Sequence, residues 1–468
     1  MNIKYLYVFF FTFIFSVNQS LQQKKRLKSR IRQEQFQGKQ FILMVYVVLK
    51  RHYPNFNELL CSIPDHRKRS GYEVAELIMA GLSMFIFKRG SRNQADLGVN
   101  AAFEKNYAVV FGMRIPLMDT VDCFLRKLAP EELEKLKQVF VKQLIEKKVL
   151  EKWKYIFRYL VAVDGTGLCS YDDEPYKGCP HRTSKNGKTT WQAYALEAKL
   201  VGANGFCISL VSCWLENSEN IDEKQDCELK AFSRLAGALK KAYPRLPVLL
   251  LADGLYANQT FFGVCRKNDW RFIVTFKDGN LKTVWQEIEL LRPLHPGQKL
   301  SRVKEKNPVS GWLSEQLQYI NDMDYEKYKL HWVEYKAFYD KKEPHERFSH
   351  LSDIKMDKNN AWEISHYGRL RWCIENEGFN TQKNGGYNLE HKFSRKNLGA
   401  KKNYYELLQI AHLVNQLVEK LLHIKEQLDD CKVTLIALWE DMMACMRNQP
   451  IDNHELKKIL EEYKQLRY

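Results

Sequence analysis

Two short apolar stretches, YLVAVDG (159–165) and VLLLADG (248–254), each end in Asp-Gly. Apolar runs of this length, bounded by turn residues, predict buried strands. Sheets in α/β proteins hold ligand-binding groups at the carboxyl ends of their strands, so Asp164 and Asp253 are candidates for a functional site. Each Asp-Gly is alternatively an ordinary turn, because this dipeptide is frequent in loops.

The sequence around these stretches alternates between strand and helix patterns. Strands are predicted at 193–201 and 206–214, joined by a turn that contains two glycines. A helix with one apolar face follows at about 229–239, and a shorter helix at 258–267 leads to a strand at 271–276. Three strands, a helix, a strand, a helix and a strand is the order of the ribonuclease-H-like fold, an α/β fold in which helices flank a mixed sheet.

The rest of the chain divides into regions of different pattern. Residues 40–152 have helical periodicity, which suits a helical DNA-binding domain and equally any helix-rich adaptor. The predicted sheet occupies 153–277, broken apolar stretches at 278–362 indicate a β-rich insertion, and 363–468 is predicted to be helical. Basic residues lie near the ends of the first helical region: Arg67, Lys68, Arg69, Lys88, Arg89 and Arg92.

The charge of the chain is its most informative bulk property. The 468 residues are 45% hydrophobic and 28% charged, an ordinary globular mix, but the formal net charge is +17. Such an excess favours a polyanionic partner, most often nucleic acid, with a membrane surface or simple solubility as alternatives. The eleven cysteines are scattered without a disulfide-like spacing, which indicates the cytoplasm.

The first 39 residues are apolar and then basic. The apolar run from Tyr5 to Val17 has the length of a signal-peptide core and is too short to span a bilayer comfortably. No small-residue cleavage pattern follows it, so we interpret it as upstream sequence from a misplaced start or as a buried helix. Secretion and membrane anchoring are the alternatives. The basic segment KKRLKSRIR (24–32) is either a DNA-contacting arm or a solvated surface.

A third carboxylate comes from the predicted helix at 368–383. Arg371 and Glu375 are four residues apart and share one helix face, so the simplest interpretation is a surface ion pair. Trp372 and Ile374 flank the glutamate with apolar surface, which favours a more buried setting.

Four segments together resemble insertion-sequence transposases of the DDE class. The resemblance spans roughly Phe56 to His423, and it implies a ribonuclease-H-like catalytic core, a β-strand insertion before the third carboxylate, and metal-dependent DNA cleavage and strand transfer at the ends of a mobile element. The segments are VAVDGTG (161–167), QDCELKAFSRL (225–235), PRLPVLLLADGLYAN (244–258) and GRLRWCIENEGFN (368–380).

The resemblance also implies roles for individual residues. Asp164 matches the first catalytic aspartate, Asp253 the second and Glu375 the catalytic glutamate, while Arg371 matches the arginine of the same motif and is expected to hold a phosphate by paired hydrogen bonds. The tyrosine and lysine positions of the family signature hold Gly368 and Gln382 here. The neighbouring residues Tyr367 and Lys383 are therefore the candidate phosphate contacts. Glu377 is a competitor for the glutamate role, but on an α-helix it would face away from Arg371.

Three carboxylates suit the implied chemistry. Two hard cations about 4 Å apart can stabilise the attacking and leaving oxygens of a phosphodiester, and Mg²⁺ prefers carboxylate oxygen. The expected cofactor is therefore Mg²⁺ or Mn²⁺, as two ions held by Asp164, Asp253 and Glu375. The expected partner is double-stranded DNA, both the terminal inverted repeats and the target, bound by a homodimer in the cytoplasm at the nucleoid, without stable membrane association.

Other signals have competing interpretations. Cys169 with Cys179-Pro-His181 suggests a zinc knuckle, but these are fewer than four well-spaced ligands. Asp164-Gly-Thr166 lacks the second acid that aspartyl phosphotransferases need. A transposase-derived protein that binds DNA without cutting it is the main alternative function. The loop 177–190 is predicted to be a basic DNA-contacting loop beside Asp164, through Arg182, Lys185 and Lys188.

Overall fold

A computed structural model of the chain describes residues 38–68, 71–217, 225–307, 311–339, 344–431 and 434–468. The apolar run from Tyr5 to Val17, the basic segment 24–32 and Arg69 lie outside these residues. In the described part of the chain, we find no helix with the length and apolar character that a membrane span requires. The chain forms two compact units.

The helices are numbered in chain order. They are α1 (Gly38–His52), α2 (Phe56–Cys61), α3 (Val74–Ile86), α4 (Arg92–Leu97), α5 (Ala101–Phe111), α6 (Met118–Leu125), α7 (Pro130–Glu146), α8 (Glu228–Ala242), α9 (Gln259–Lys267), α10 (Lys282–Leu291), α11 (Ala361–Arg369), α12 (Thr381–Asn384), α13 (Leu398–Glu419), α14 (Leu422–Cys431), α15 (Leu435–Asn448) and α16 (Asn453–Glu462).

The first unit is helical and combines both ends of the described chain. It comprises 38–62, 67–121 and 414–468, so helices expected in an N-terminal domain pack with helices from the carboxyl-terminal region. Helix α15 packs against α1 and α5. Lys88, one of the basic residues considered for DNA binding, forms an ion pair inside this unit. Its Nζ lies 3.1 Å from Glu419 Oε1, and both side chains are nearly buried.

The second unit, 63–66 and 122–413, contains a mixed sheet flanked by helices. The strand order is β2-β3-β1-β5-β6-β10-β9-β8-β7, with β4 pairing with β3. Strands β1, β5 and β6 are parallel, and β3 and β10 run antiparallel to them. The strands are β1 (Tyr159–Tyr171), β2 (His181–Thr183), β3 (Thr189–Val201), β4 (Cys207–Trp214), β5 (Val248–Ala252), β6 (Arg271–Thr275), β7 (Lys299–Asn307), β8 (Gly311–Tyr325), β9 (Tyr328–Tyr339) and β10 (Glu346–Ser352).

One sequence expectation is corrected by this sheet. Asp164-Gly165 is not a turn, because β1 continues through it to Tyr171 and pairs with β3, Asp164 opposite Glu197. The region of the expected β-rich insertion contributes β7 to β10, and β10 pairs with β6, so these strands extend the same sheet. Both features depend on pairing between distant segments, which a local pattern does not show.

One face of the sheet is covered by a long helical segment, 361–384. Its buried residues Ile364, Ile374 and Phe379 belong to a core cluster with Leu160 and Ala162 of β1. The same cluster includes Leu249, Leu251 and Ile273 from the two neighbouring strands. Because side chains alternate along a strand, residues two apart share a face, and this cluster defines the face that the helical segment covers.

Candidate metal and DNA-cleavage site

Asp164 projects toward the helical segment. It follows Leu160 and Ala162 at the two-residue spacing of the buried face of β1, so its side chain lies on the side that 361–384 covers. The parallel pairing of β1 with β5 ends two residues before Asp164, at Ala162 and Leu251. The aspartate therefore stands where the two strands separate, and its side chain is 20% exposed.

Asp253 occupies the corresponding place on the next strand. It directly follows β5 with an extended backbone, two residues after buried Leu251. Its Oδ1 accepts a hydrogen bond of 2.9 Å from the Leu255 backbone N–H, which begins a short 3-10 turn, Gly254–Tyr256. The predicted strand and its terminal aspartate are thus confirmed, and the two aspartates lie at the same edge of adjacent parallel strands.

Glu375 comes from an irregular part of the helical segment. A 3-10 turn, Leu370–Trp372, follows α11, and a π-helix, Ile374–Asn380, carries the glutamate. Short π-helical segments occur frequently at functional sites, since the extra residue in the turn redirects side chains. Ile374 and Phe379 are buried on both sides of the glutamate, which itself is 51% exposed.

Arg371 joins two of the three carboxylates. Its Nη1 donates to Asp164 Oδ2 at 2.9 Å and to Glu375 Oε1 at 2.8 Å. The arginine is more than a surface partner of Glu375, since its side chain is only 9% exposed. Its Nε is buried without a hydrogen-bond acceptor among the described residues. One cation therefore holds together side chains that are 207 residues apart in the sequence.

Asp164 is in an environment that disfavours its negative charge. The pKa of this carboxyl is raised to about 7, mainly because the group is buried and also because Glu375 is near, although Arg371 and the Gly165 N–H act in the opposite direction. A carboxylate that is buried beside another carboxylate gains stability from an additional cation. The electrostatics at Asp164 thus favour a positively charged ligand.

Asp253, Arg371 and Glu375 line a cleft of about 520 Å³. Asp164 lies behind this lining and is connected to it through Arg371. The walls of the cleft combine basic and aromatic side chains, among them Lys277, Arg347, Arg369, Phe348 and Trp372. A cleft lined by both carboxylates and cations suits a phosphate group together with a metal ion.

The candidate phosphate contacts Tyr367 and Lys383 lie outside the cleft. Tyr367 stacks on Tyr155 with ring centroids 4.2 Å apart and packs against the core cluster. Lys383 Nζ pairs with Glu390 at 2.8 Å. Neither belongs to the lining of the cleft described above.

The glycine at the signature tyrosine position has a physical reason. A Cβ on Gly368 would lie 2.6 Å from the ring of His350, so no larger side chain fits there without displacing the histidine. His350 is buried, and burial together with the charges of Arg369 and Arg371 lowers its pKa to about 3. The histidine is therefore a neutral part of the cleft wall at ordinary pH.

The basic loop is not beside Asp164. Arg182 lies on the exposed strand β2, and Lys185 and Lys188 lie in the exposed turn that leads to β3. Thr189, where β3 begins, is eight residues from Glu197, the partner of Asp164, and this corresponds to roughly 25 Å along an extended strand. Lys188 also pairs with Asp172 at 3.1 Å. These three residues do not share a site with the carboxylates.

The competing glutamate and the cysteines are also placed. Glu377 does not line the cleft. Its charge instead contributes to raising the pKa of the Cys207 thiol on β4. Cys169 and Cys179 are buried free thiols, whereas His181 is exposed on β2. Within the described residues, no three His, Cys, Asp or Glu side chains form a ready metal-binding group, at the suggested knuckle or at the three carboxylates.

Sequence reasoning missed several residues at this site. Lys277 lies two residues beyond β6, the third parallel strand in the row, and its position at a strand end is the signal that could have identified it. Arg369 lies two residues before Arg371, and its guanidinium stacks 4.5 Å from the ring centroid of Tyr335. Glu228, near Asp164, was missed because its contacts come from distant segments.

Comparison with known proteins adds no assignment: no protein-family model matches the chain, and no curated protein matches it significantly.

Proposed function

We propose that this chain is a DDE-type transposase that binds the ends of a mobile DNA element and catalyses metal-dependent strand cleavage and strand transfer. The observation that carries the proposal is the link that Arg371 makes between Asp164 and Glu375 at a cleft that Asp253 also lines. Asp253 directly follows β5, and Asp164 lies on β1 two residues beyond the last residue that pairs with β5. Arg371 binds Asp164 and Glu375 through one nitrogen.

The order of the central strands supports a ribonuclease-H-like core. Along the sheet, β4, β3, β1, β5 and β6 are neighbours, with β3 antiparallel to β1 and the last three strands parallel. This is the arrangement of three consecutive antiparallel strands followed by two parallel ones that the element order predicts. In such a core, Asp164 and Asp253 would be the carboxylates of the first and fourth strands along the chain.

The donor chemistry fits Mg²⁺ or Mn²⁺. Asp164, Asp253 and Glu375 offer only carboxylate oxygens, the ligands that hard divalent cations prefer. Burial of Asp164 supplies a second reason for a cation, since it leaves this carboxyl with a pKa of about 7 in the absence of one. Bound there, two ions would stabilise the attacking and leaving oxygens of the phosphodiester.

The surrounding residues would orient the DNA. Lys277 and Arg369 present positive charge on the wall of the cleft, and Arg371 carries a buried Nε that lacks an acceptor in the described structure. Phosphate oxygens are suitable acceptors for such groups. The net charge of +17 would strengthen the binding of DNA by release of its counterions. On the two ends of an element, we propose that the chain acts as a homodimer.

The test is cleavage of a supercoiled plasmid that carries the DNA flanking this gene, with Mg²⁺ or Mn²⁺. We expect nicking by the parent protein and a loss of roughly 10³-fold or more in Asp164→Asn, Asp253→Asn and Glu375→Gln, because members of a catalytic group act as a unit. Asp324→Asn is the control, since this exposed aspartate pairs with Lys329 far along the sheet. DNA binding, measured separately by gel shift, should persist in all four variants.

Two results would overturn the proposal. If the three carboxylate variants nick DNA as fast as the parent, the site is wrongly assigned. If the parent binds the flanking DNA but cuts it with neither cation, the chain is a DNA-binding protein derived from a transposase.

A further inference from the structure

Glu228 accepts hydrogen bonds from two tyrosines beside the candidate site. Tyr194 of β3 donates to Glu228 Oε1 at 2.5 Å, and Tyr256 donates to Oε2 at 3.4 Å. We call these three residues the Glu228 clamp. The glutamate is the first residue of α8, where the helix dipole stabilises a negative charge.

The clamp connects the two segments that carry the aspartates. Tyr194 lies opposite Gly167 on the strand that pairs with β1, three residues beyond Asp164. Tyr256 ends the 3-10 turn that begins after Asp253. One carboxylate therefore bonds to a tyrosine on the strand that pairs with β1 and to a tyrosine three residues after Asp253.

This connection occurs where the sheet no longer fixes the spacing. The last paired residues of β1 and β5 are Ala162 and Leu251, so Asp164 and Asp253 both lie beyond the ladder of backbone hydrogen bonds that joins these two strands. A metal site requires ligand positions held to within a fraction of an ångström, and this precision comes from the residues that support the ligands. Beyond the ladder, some other contact must supply it.

Glu228 acts from the face of β1 opposite the Asp164 side chain. A Cβ on Gly165 would meet Glu228 Oε1 at 2.7 Å and the Tyr194 hydroxyl at 2.6 Å. Successive side chains point to opposite faces of a strand, so the glutamate approaches behind the aspartate and not in front of it. This close approach also explains the glycine, which no turn requires here.

Both tyrosines are suited to donate. Burial raises the pKa of Tyr194 and of Tyr256, and the charges of Glu228, Asp164 and Asp253 raise both further. The phenols therefore keep their protons at any pH at which the protein works, and each hydroxyl can donate to the glutamate. Hydrogen bonds to a charged acceptor are stronger than those between neutral groups.

We infer that Glu228 is a positioning residue, which fixes the spacing of Asp164 and Asp253 for divalent cation binding by holding Tyr194 and Tyr256. The inference rests on the proposed function, because it assigns the two aspartates to a metal site. It predicts that loss of the clamp weakens metal binding without removing a ligand.

The experiment measures Mn²⁺ affinity by titration calorimetry on the full chain, with the metal ion alone as probe. Glu228→Ala, and the double variant Tyr194→Phe with Tyr256→Phe, should each bind Mn²⁺ about 10–100-fold more weakly than the parent, the range for loss of groups that support metal ligands. Glu228→Gln keeps an oxygen that accepts a hydroxyl hydrogen bond, so its affinity should stay within about fivefold of the parent. The Mn²⁺ concentration needed for half-maximal nicking should change in parallel.

Glu132→Gln is the matched control. Glu132 also lies in the first turn of a helix, α7, and its side chain pairs with Lys135 at 2.7 Å. Its affinity for Mn²⁺ should equal that of the parent. Thermal melting of each metal-free variant shows whether it folds. If Glu228→Ala does not fold, the double tyrosine variant tests the clamp.

The outcomes separate the two proposals. If the parent neither binds Mn²⁺ nor nicks DNA, the proposed function and the clamp both fail. If the parent does both and the clamp variants match it, only the clamp is wrong. Equal weakening in Glu228→Gln and Glu228→Ala would show that the charge of Glu228 matters and not its hydrogen bonds, which also overturns the positioning role.

Discussion

The second unit contains two carboxyls whose pKa burial raises to about 7, Asp164 and Glu406, in very different surroundings. Glu406 lies 2.7 Å from Lys137 Nζ, with side chains 3% and 1% exposed. Within the described ranges Asp164 has one ion-pair partner, Arg371, and it shares this cation with Glu375 next to an open cleft. A shifted pKa by itself thus does not identify a functional site. The two carboxyls differ in their partners and in their access to solvent. Glu406 is buried with Lys137, whereas Asp164 is partly exposed and shares Arg371 with Glu375.

The buried pair is part of a closed polar cluster. Lys137 Nζ also donates to Ser212 Oγ at 2.8 Å, and the Tyr405 hydroxyl donates to Glu197 Oε1 at 2.7 Å. Burial lowers the pKa of Lys137, but Glu406 and the other carboxylates outweigh this and hold it above its usual value. These contacts connect α7, β3, β4 and α13, and the side chains of Lys137, Glu197 and Glu406 are all buried. We therefore assign this cluster to folding.

The largest effect is expected from breaking the buried pair. Lys137→Met leaves Glu406 buried without its cation, which should cost about 3–5 kcal/mol of the free energy of unfolding, measured by denaturant titration at pH 7.5. Added Mn²⁺ should restore none of this loss, because the cluster is closed. Lys135→Met is the control, since Lys135 pairs with Glu132 on the exposed face of α7 and should cost less than about 1 kcal/mol. A loss below that value for Lys137→Met would show that the pair is not a structural element.

The second prediction tests the open site through pH. The pKa of Asp164 is higher in the folded chain than its ordinary value, so the folded state binds the proton more tightly than the unfolded state. Its contribution to stability is therefore fully present below about pH 4 and is lost as the pH rises to about 7. As the pH rises from about 4 to about 7, the free energy of unfolding of the metal-free parent should fall by roughly 2–4 kcal/mol more than that of Asp164→Asn.

The difference between these two proteins isolates Asp164, because Glu406 titrates in both. Denaturant titrations from pH 4.5 to pH 8 measure it. With Mn²⁺ present the slope of the parent should flatten, since a bound cation favours the carboxylate. If the free energy of unfolding depends on pH equally in the parent and in Asp164→Asn, then burial and the charge of Glu375 do not raise the pKa of Asp164 as described.

Local sequence patterns predicted the parts of the site that lie within one element. Strand β5 has the predicted bounds, because Pro247 and Asp253 delimit a purely apolar run. The length of β1 was mispredicted, since its second half is held in the sheet by β3 and not by local propensity. The π-helix at Glu375 has no sequence signal that we can identify, and the clamp joins residues 28 and 34 positions apart. The strand and helix positions of the candidate carboxylates could thus be inferred from local patterns, whereas the contacts of Glu228 and Arg371 with Tyr194, Tyr256 and Asp164 depend on nonlocal pairing.

The smallest effect tests how tightly the wall of the open site is packed. Gly368→Ala places a methyl group 2.6 Å from the His350 ring, and relief of that clash should cost about 1–3 kcal/mol of the free energy of unfolding. Gly237→Ala is the matched control, because Gly237 lies in α8 with no atom within 4 Å of the added Cβ, and it should stabilise the chain by up to about 1 kcal/mol. Equal stability of the two variants would mean that His350 yields easily and that the cleft wall is soft. A measured difference in the expected direction would show instead that the cleft is open at its carboxylates and rigid at its wall, as the proposed binding of DNA beside a metal ion would require.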